Sequence, residues 1–135
     1  MDLLTASLYG DLDRVICLLA TQINVDSQDQ LESTAFMFAA GNGRDEIASR
    51  LLDAGADVNH RNKYGNSALT WASQYGHNKI MERLLDAGAD VNHKNTFERT
   101  ALSIADKNTN VNILRYFHLS KIFPLDIVDI FISTT

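Results

Sequence analysis

The sequence has one cysteine, one proline and no long hydrophobic run, and each shortage removes a class of protein. Cys17 has no partner within the chain, so no internal disulfide is available, and no Asn-x-Ser/Thr acceptor is present. Both point to a reducing compartment, cytoplasmic or nuclear. Collagen is excluded by one proline and seven glycines in 135 residues, and disorder by a hydrophobic share of 45%. The longest apolar region, 122–132, is interrupted by Pro124, Asp126 and Asp129. A membrane helix needs about 20 apolar residues, so no span is expected. The opening Met1-Asp2-Leu3-Leu4-Thr5-Ala6 lacks the basic start of a secretory signal, and no export is expected. Basic charge is scarce too: 12 Lys and Arg face 17 Asp and Glu, for a net charge of −5. Without a Lys/Arg cluster to track phosphates, nucleic acid is not an expected partner.

What the chain does contain is itself, repeated. Leu51-Leu52-Asp53-Ala54-Gly55-Ala56-Asp57-Val58-Asn59-His60 recurs letter for letter as Leu84 to His93, a displacement of 33 residues. The same displacement aligns Ala6, Ala39, Ala72 and Ala105, then Gly10, Gly43 and Gly76, then Leu18, Leu51, Leu84 and Phe117, without a gap. One repetitive domain therefore occupies 1–135, with repeats near 1–29, 30–62, 63–95 and 96–121 and a tail at 122–135.

Each unit reads as two short helices and a polar connector. In the third, Ser67 is an N-cap candidate ahead of Ala68-Leu69-Thr70-Trp71-Ala72-Ser73, and Gly76 stops that helix. Ile80, Met81, Leu84 and Leu85 form the apolar stripe of a second helix, which Gly88 ends in left-handed geometry. The alanine row at Ala72 lets the paired helices approach closely. The connector Ala56-Asp57-Val58-Asn59, running on to Tyr64-Gly65, predicts a β-hairpin-like loop, with Val58 and Val91 pointing inward. The frame places Phe38, Trp71 and Ile104, Phe36, Leu69 and Leu102, and Leu19, Leu52 and Leu85 in hydrophobic rows.

These residues resemble the ankyrin-repeat family, whose unit runs Thr-Pro-Leu-His-x-Ala, a glycine turn, an apolar helix and Leu-Leu-x-x-Gly-Ala-Asp-Val-Asn. Leu51–Asn59 and Leu84–Asn92 match the second half. Thr34-Ala35-Phe36-Met37, Ser67-Ala68-Leu69-Thr70 and Thr100-Ala101-Leu102-Ser103 lack the Pro and the His of the first half. The resemblance implies an all-α solenoid of about four helix-turn-helix repeats with β-hairpin-like loops. It also implies a protein–protein interaction module, an adaptor, inhibitor or targeting scaffold, that binds through hairpin tips and a concave first-helix face. Repeat 4 has Thr109 for the turn glycine and Lys121-Ile122-Phe123-Pro124-Leu125 for the loop, so stacking should end there. From Pro124 to Ile132 the tail predicts a C-terminal capping helix; a partner or self-association helix is the alternative, with the chain otherwise a monomer. Phe123-Pro124-Leu125-Asp126-Ile127-Val128 is also similar to the opening of F-box-like motifs, which implies recruitment of a ubiquitin-ligase adaptor.

No residue pattern points to catalysis or a cofactor. His60 and His93 would lie about 10 Å apart across neighbouring repeats, too far to share one zinc, whose bonds are about 2 Å. They read as polar ends of the repeated loop, and His77 as a structural partner of the turn. Gly41-Asn42-Gly43 lies between two helices without a preceding strand, which excludes a dinucleotide site. Asp53 with Asp57, and Asp86 with Asp90, belong to the repeated loop. The candidate binding residues are the hairpin row Leu31, Tyr64 and Phe97, the flanking Arg61, Lys63, Lys94 and Arg99, and Tyr75 at the end of the third repeat's first helix. Basic tips on an acidic chain favour an acidic or phosphorylated partner segment. The family resemblance adds one alternative: asparaginyl hydroxylation at Asn59 or Asn92, each with a Leu eight residues upstream.

Overall fold

The structure is a computed structural model that describes residues 2–101 and 103–104. Six helices follow in pairs: α1 (Leu3–Tyr9) with α2 (Leu12–Leu19), α3 (Ala35–Gly41) with α4 (Asp45–Asp53), and α5 (Ala68–Tyr75) with α6 (Asn78–Asp86). α3 packs between α1 and α5, and α4 contacts α2 and α6, so the first helices form one layer and the second helices another. Among the described residues no strand forms; one isolated bridge joins Gln28 to Thr34. The readings for Leu102, Ala105, Thr109, Phe117, the second half of repeat 4 and the tail 122–135, including its capping helix and F-box-like opening, lie outside the described residues.

Local sequence explains where the first helices start. Asp2, Thr34 and Ser67 each accept the N–H of the residue three positions on, the first-turn donor a helix leaves unpaired. In α5 the bond is reciprocal: Ser67 Oγ accepts from the Thr70 N–H while Thr70 Oγ1 accepts from the Ser67 N–H. Thr100 and Ser103 repeat the exchange. In the third and fourth repeats a hydroxyl, of Thr70 and Ser103, thus stands where the ankyrin pattern has histidine and ties the helix start without it, whereas α3 has Met37 there.

α4 and α6 begin differently. Their N-cap residues, Arg44 and His77, make no side-chain cap and reach back to the previous repeat instead. Arg44 Nη2 donates to the Leu8 carbonyl at 3.4 Å, and His77 Nε2 lies 3.1 Å from the Gly41 carbonyl. Each bond satisfies a carbonyl in the last turn of a first helix, where the helix leaves acceptors unpaired and positive charge is favoured. The turn glycines make room for these groups: a Cβ at Gly10 would come within 2.8 Å of Arg44 Cζ, and one at Gly43 within 2.8 Å of His77 Cε1.

The core runs between the layers. Ala6, Ala39 and Ala72 are fully buried, as the close helix approach requires. Phe36 and Leu69 are buried beside them, and Ile47, Ala48 and Leu51 with Ile80, Met81 and Leu84 supply the second-layer side. Two expectations need correction. Leu52 and Leu85 are only half-buried, and the fully buried leucines are their neighbours Leu51 and Leu84. One step along a helix turns a side chain about 100°, which takes Leu52 and Leu85 from the inter-layer seam to its margin. Phe38 and Trp71 likewise lie at the margin, half-buried, with ring centroids 5.9 Å apart. Val91 is buried as expected, and Val58 half-buried.

Candidate functional site

The loops 27–33, 60–66 and 93–99, hairpin-like in course and numbered as the second, third and fourth hairpins after the repeats they open, are assembled by an asparagine and aspartate ladder. Asp29, Asn62 and Asn95, 33 residues apart, each use Oδ1 to accept the N–H groups two and four residues later. This closes each tip as a compact turn. The tips are then joined in register: the Lys63 N–H donates to the Leu31 carbonyl at 2.9 Å, and the Thr96 N–H to the Tyr64 carbonyl at 3.0 Å. Side-chain amides add a second lane, with Asn95 Nδ2 donating to Asn66 Oδ1 at 2.9 Å and Asn62 Nδ2 to Ser33 Oγ at 3.4 Å. His60 and His93 supply a third, their Nε2 atoms 2.7 Å from the Glu32 carbonyl and 2.8 Å from that of Gly65. These imidazoles therefore tie consecutive hairpins together, a role that the sequence reading of polar loop ends did not include. Their 33-residue spacing was the available signal.

This scaffold brings Leu31, Tyr64 and Phe97 to successive tips, exposed by 44%, 44% and 68%. Tyr75 is 61% exposed at the end of α5, and Tyr9, its counterpart at the end of α1, is 68% exposed. Of the flanking cations, Arg61 pairs with Asp90 at 3.2 Å and Lys94 with Glu98 at 4.0 Å, both at the surface. Lys63 and Arg99 have no ion pair among the described residues. Between the ends of α3 and α5 lies a solvent-open notch of about 570 Å³, lined by Gly41, Asn42, Trp71, Tyr75 and His77. The sequence reading missed it, because it placed Trp71 within the core.

One conformational feature of the tips also went unread. Glu32 and Glu98 hold φ of 63° and 61°, the left-handed region, where the equivalent residue of the third hairpin is Gly65 at 73°. At Gly65 the next hairpin packs so closely that a Cβ would sit 3.1 Å from Asn95 Cα. The loop asparagine Asn59 is tied as well: its Oδ1 accepts the Asp90 N–H at 2.7 Å and its Nδ2 donates to the Gly88 carbonyl at 3.3 Å. The Asn92 N–H donates to Asp90 Oδ1 at 3.0 Å.

The family model for ankyrin repeats (3 copies) matches residues 3–95, more than half of the chain. This chain belongs to the ankyrin-repeat family. A comparison with curated proteins found no match. Ankyrin repeats are protein–protein interaction modules built on a non-catalytic scaffold, and that is the general role of this domain. Among the described residues no group of three or more His, Cys, Asp or Glu is placed to hold a metal ion, and no helix is long and apolar enough to cross a membrane. Cys17 is exposed on α2.

Proposed function

We propose that this ankyrin domain recognises a partner protein across its hairpin tips and concave first-helix face, working as an adaptor, inhibitor or targeting subunit. Tyr64 and Phe97, with Leu31 and Tyr75, are the anchors; Arg61, Lys63, Lys94 and Arg99 form the rim. The observation that carries this reading is the row of exposed apolar side chains on tips held in register by backbone hydrogen bonds. A rigid row of aromatic groups loses little conformational freedom on binding, and aromatic residues dominate the energy of interfaces. The rim pairs, being exposed, contribute about 0–1 kcal/mol each and act mainly on association rate. The basic rim favours an acidic partner. The domain acts as a monomer, in the cytoplasm or nucleus.

The test is the double change Tyr64→Ala with Phe97→Ala, compared with Glu46→Ala on α4, against a partner captured by affinity purification. The tip variant, shown by circular dichroism to be folded, should lose most of its binding while the α4 variant keeps it. Equal binding by both would move the interface elsewhere. Hydroxylation of Asn59 or Asn92 has less support, because the Asn59 amide is occupied at both ends; mass spectrometry of the native protein tests it directly.

A further inference from the structure

Resting on that docking face, the geometry points to a specific occupant: an extended acidic segment that inserts one flat apolar side chain into the notch between α3 and α5 and lays its carboxylates along the third and fourth hairpins. The notch lies where one repeat departs from the pattern of its neighbours. The row Leu8, Gly41 and Gln74 has a side chain in the first and third repeats and none in the second. Gly41 lies in helical backbone, so its φ does not require glycine. Its distinction is steric: a Cβ there would stand 3.1 Å from Trp71 Cε3 and 3.4 Å from Trp71 Cβ. Glycine therefore lets the Trp71 side chain settle against the end of α3, where it forms one wall of the notch.

The lining also states what the notch accepts. Trp71, Tyr75 and Gly41 offer flat apolar surface, and no Asp, Glu, Lys or Arg lines it. Two polar groups of the lining are already engaged: Asn42 Nδ2 donates to the Phe38 carbonyl at 2.8 Å, and His77 Nε2 is held on the Gly41 carbonyl. A flat apolar side chain can therefore enter without breaking a hydrogen bond. Trp71 and Tyr75, four residues apart, share one face of α5 and form a continuous track. From Ser67, where the third hairpin ends, to Tyr75 that track is about 12 Å long, the span of about four residues of extended chain.

Charge selects the flanking residues. Hairpin 27–33 carries Asp29 and Glu32, a sum of −2. Hairpin 60–66 carries Arg61 and Lys63, a sum of +2, and 93–99 carries Lys94, Glu98 and Arg99, a sum of +1. Of these three hairpins only the two later ones are net positive, on a chain whose net charge is −5. A segment anchored beside Tyr75 and running toward those hairpins meets Lys63 and Arg99, which have no ion pair among the described residues. Carboxylates fit that course; lysines do not.

Trp71 is the only tryptophan in the chain, so its emission reports on the notch alone. The probe is a short fluorescein-labelled peptide of glutamate and aspartate with one central phenylalanine, titrated into the full chain and read by anisotropy and by tryptophan emission. Saturable binding that weakens with salt and shifts Trp71 emission is expected. Exchanging the phenylalanine for serine, or making Gly41→Leu or Tyr75→Ala in the protein, should weaken binding about tenfold. Tyr75 is exposed enough that its change leaves the fold intact, and circular dichroism checks both variants. Lys63→Glu with Arg99→Glu should weaken binding while leaving the notch open. No saturable binding of the acidic peptide, or equal binding of a version with lysines for its carboxylates, overturns the inference. If instead the peptide is lost on Tyr64→Ala with Phe97→Ala but is indifferent to Gly41→Leu, the hairpin docking stands and the notch does not.

Discussion

Adjacent leucines in α4 provide a sharp test of the packing. Leu51 is 0% exposed within the seam between the layers, whereas Leu52 is half-buried at the edge of a groove shared with Asp53, Lys79, Glu82, Arg83, Asp86 and Ala87. Leu51→Ala removes three buried carbons from a site closed on all sides, so both transfer and cavity contributions apply, and the loss should be about 3 kcal/mol within a range of about 2–5. Leu52→Ala removes the same atoms from a groove that water can enter, leaving only part of the transfer contribution, about 1 kcal/mol. A domain of this size has a stability of about 5–15 kcal/mol, so the first change consumes a large share of it. Urea unfolding followed by circular dichroism gives both values. With a slope of about 1–3 kcal/mol per molar urea, Leu51→Ala should lower the midpoint by about 1–3 M and Leu52→Ala by about a third of that. An equal or larger loss for Leu52→Ala would refute the assignment of the seam.

Glu32→Gly and Glu98→Gly should each stabilise the chain by about 0.5–1 kcal/mol, because an L residue in the left-handed region costs about 1–2 kcal/mol and glycine's greater chain entropy returns part of that; thermal unfolding decides, and a fall in Tm for both would contradict the strain. His93→Ala should cost about 1 kcal/mol and increase hydrogen exchange at the fourth hairpin, by loss of the bond to the Gly65 carbonyl; unchanged exchange there would dismiss the tie. The Thr5 backbone N–H, 2.8 Å from Asp2 Oδ1, and then the Thr5 side chain hold the Asp2 carboxyl below its ordinary value. A lowered folded-state pKa stabilises fully above the unfolded value of about 3.9 and is lost as pH falls through the folded value. An NMR titration of Asp2 should show the lowered midpoint, and Asp2→Asn should remove this part of the acid dependence.

The 33-residue repeat, the helix pairs, the glycine turns and the alanine row were legible in the sequence because they rest on local chemistry. Gly10, Gly43 and Gly76 mark turns, Ser67 caps a helix, and Ala6, Ala39 and Ala72 are small wherever they stand. The identical loops from Leu51 to His60 and from Leu84 to His93 fixed the family and so the general role. The tip row Leu31, Tyr64 and Phe97 was legible for the same reason: equal positions in a repeat occupy equal places in the stack, and all three are exposed.

What only the tertiary structure decided concerns atoms that meet across repeats. Whether Leu51 or Leu52 enters the seam depends on the rotation of α4 against its neighbours, and the apolar stripe is wide enough to permit either. Asn59, His60 and His93 look like loop residues until the following loop supplies Gly88 and Asp90 to the first, and the preceding hairpin supplies Glu32 and Gly65 to the two histidines. Trp71 reads as core by its hydrophobicity, and it forms the wall of a notch because its side chain packs onto Gly41, 30 residues earlier, at the end of α3. A linear sequence states which groups are present at each step of the repeat. Which of them are left facing water is set by how one repeat lies upon the next.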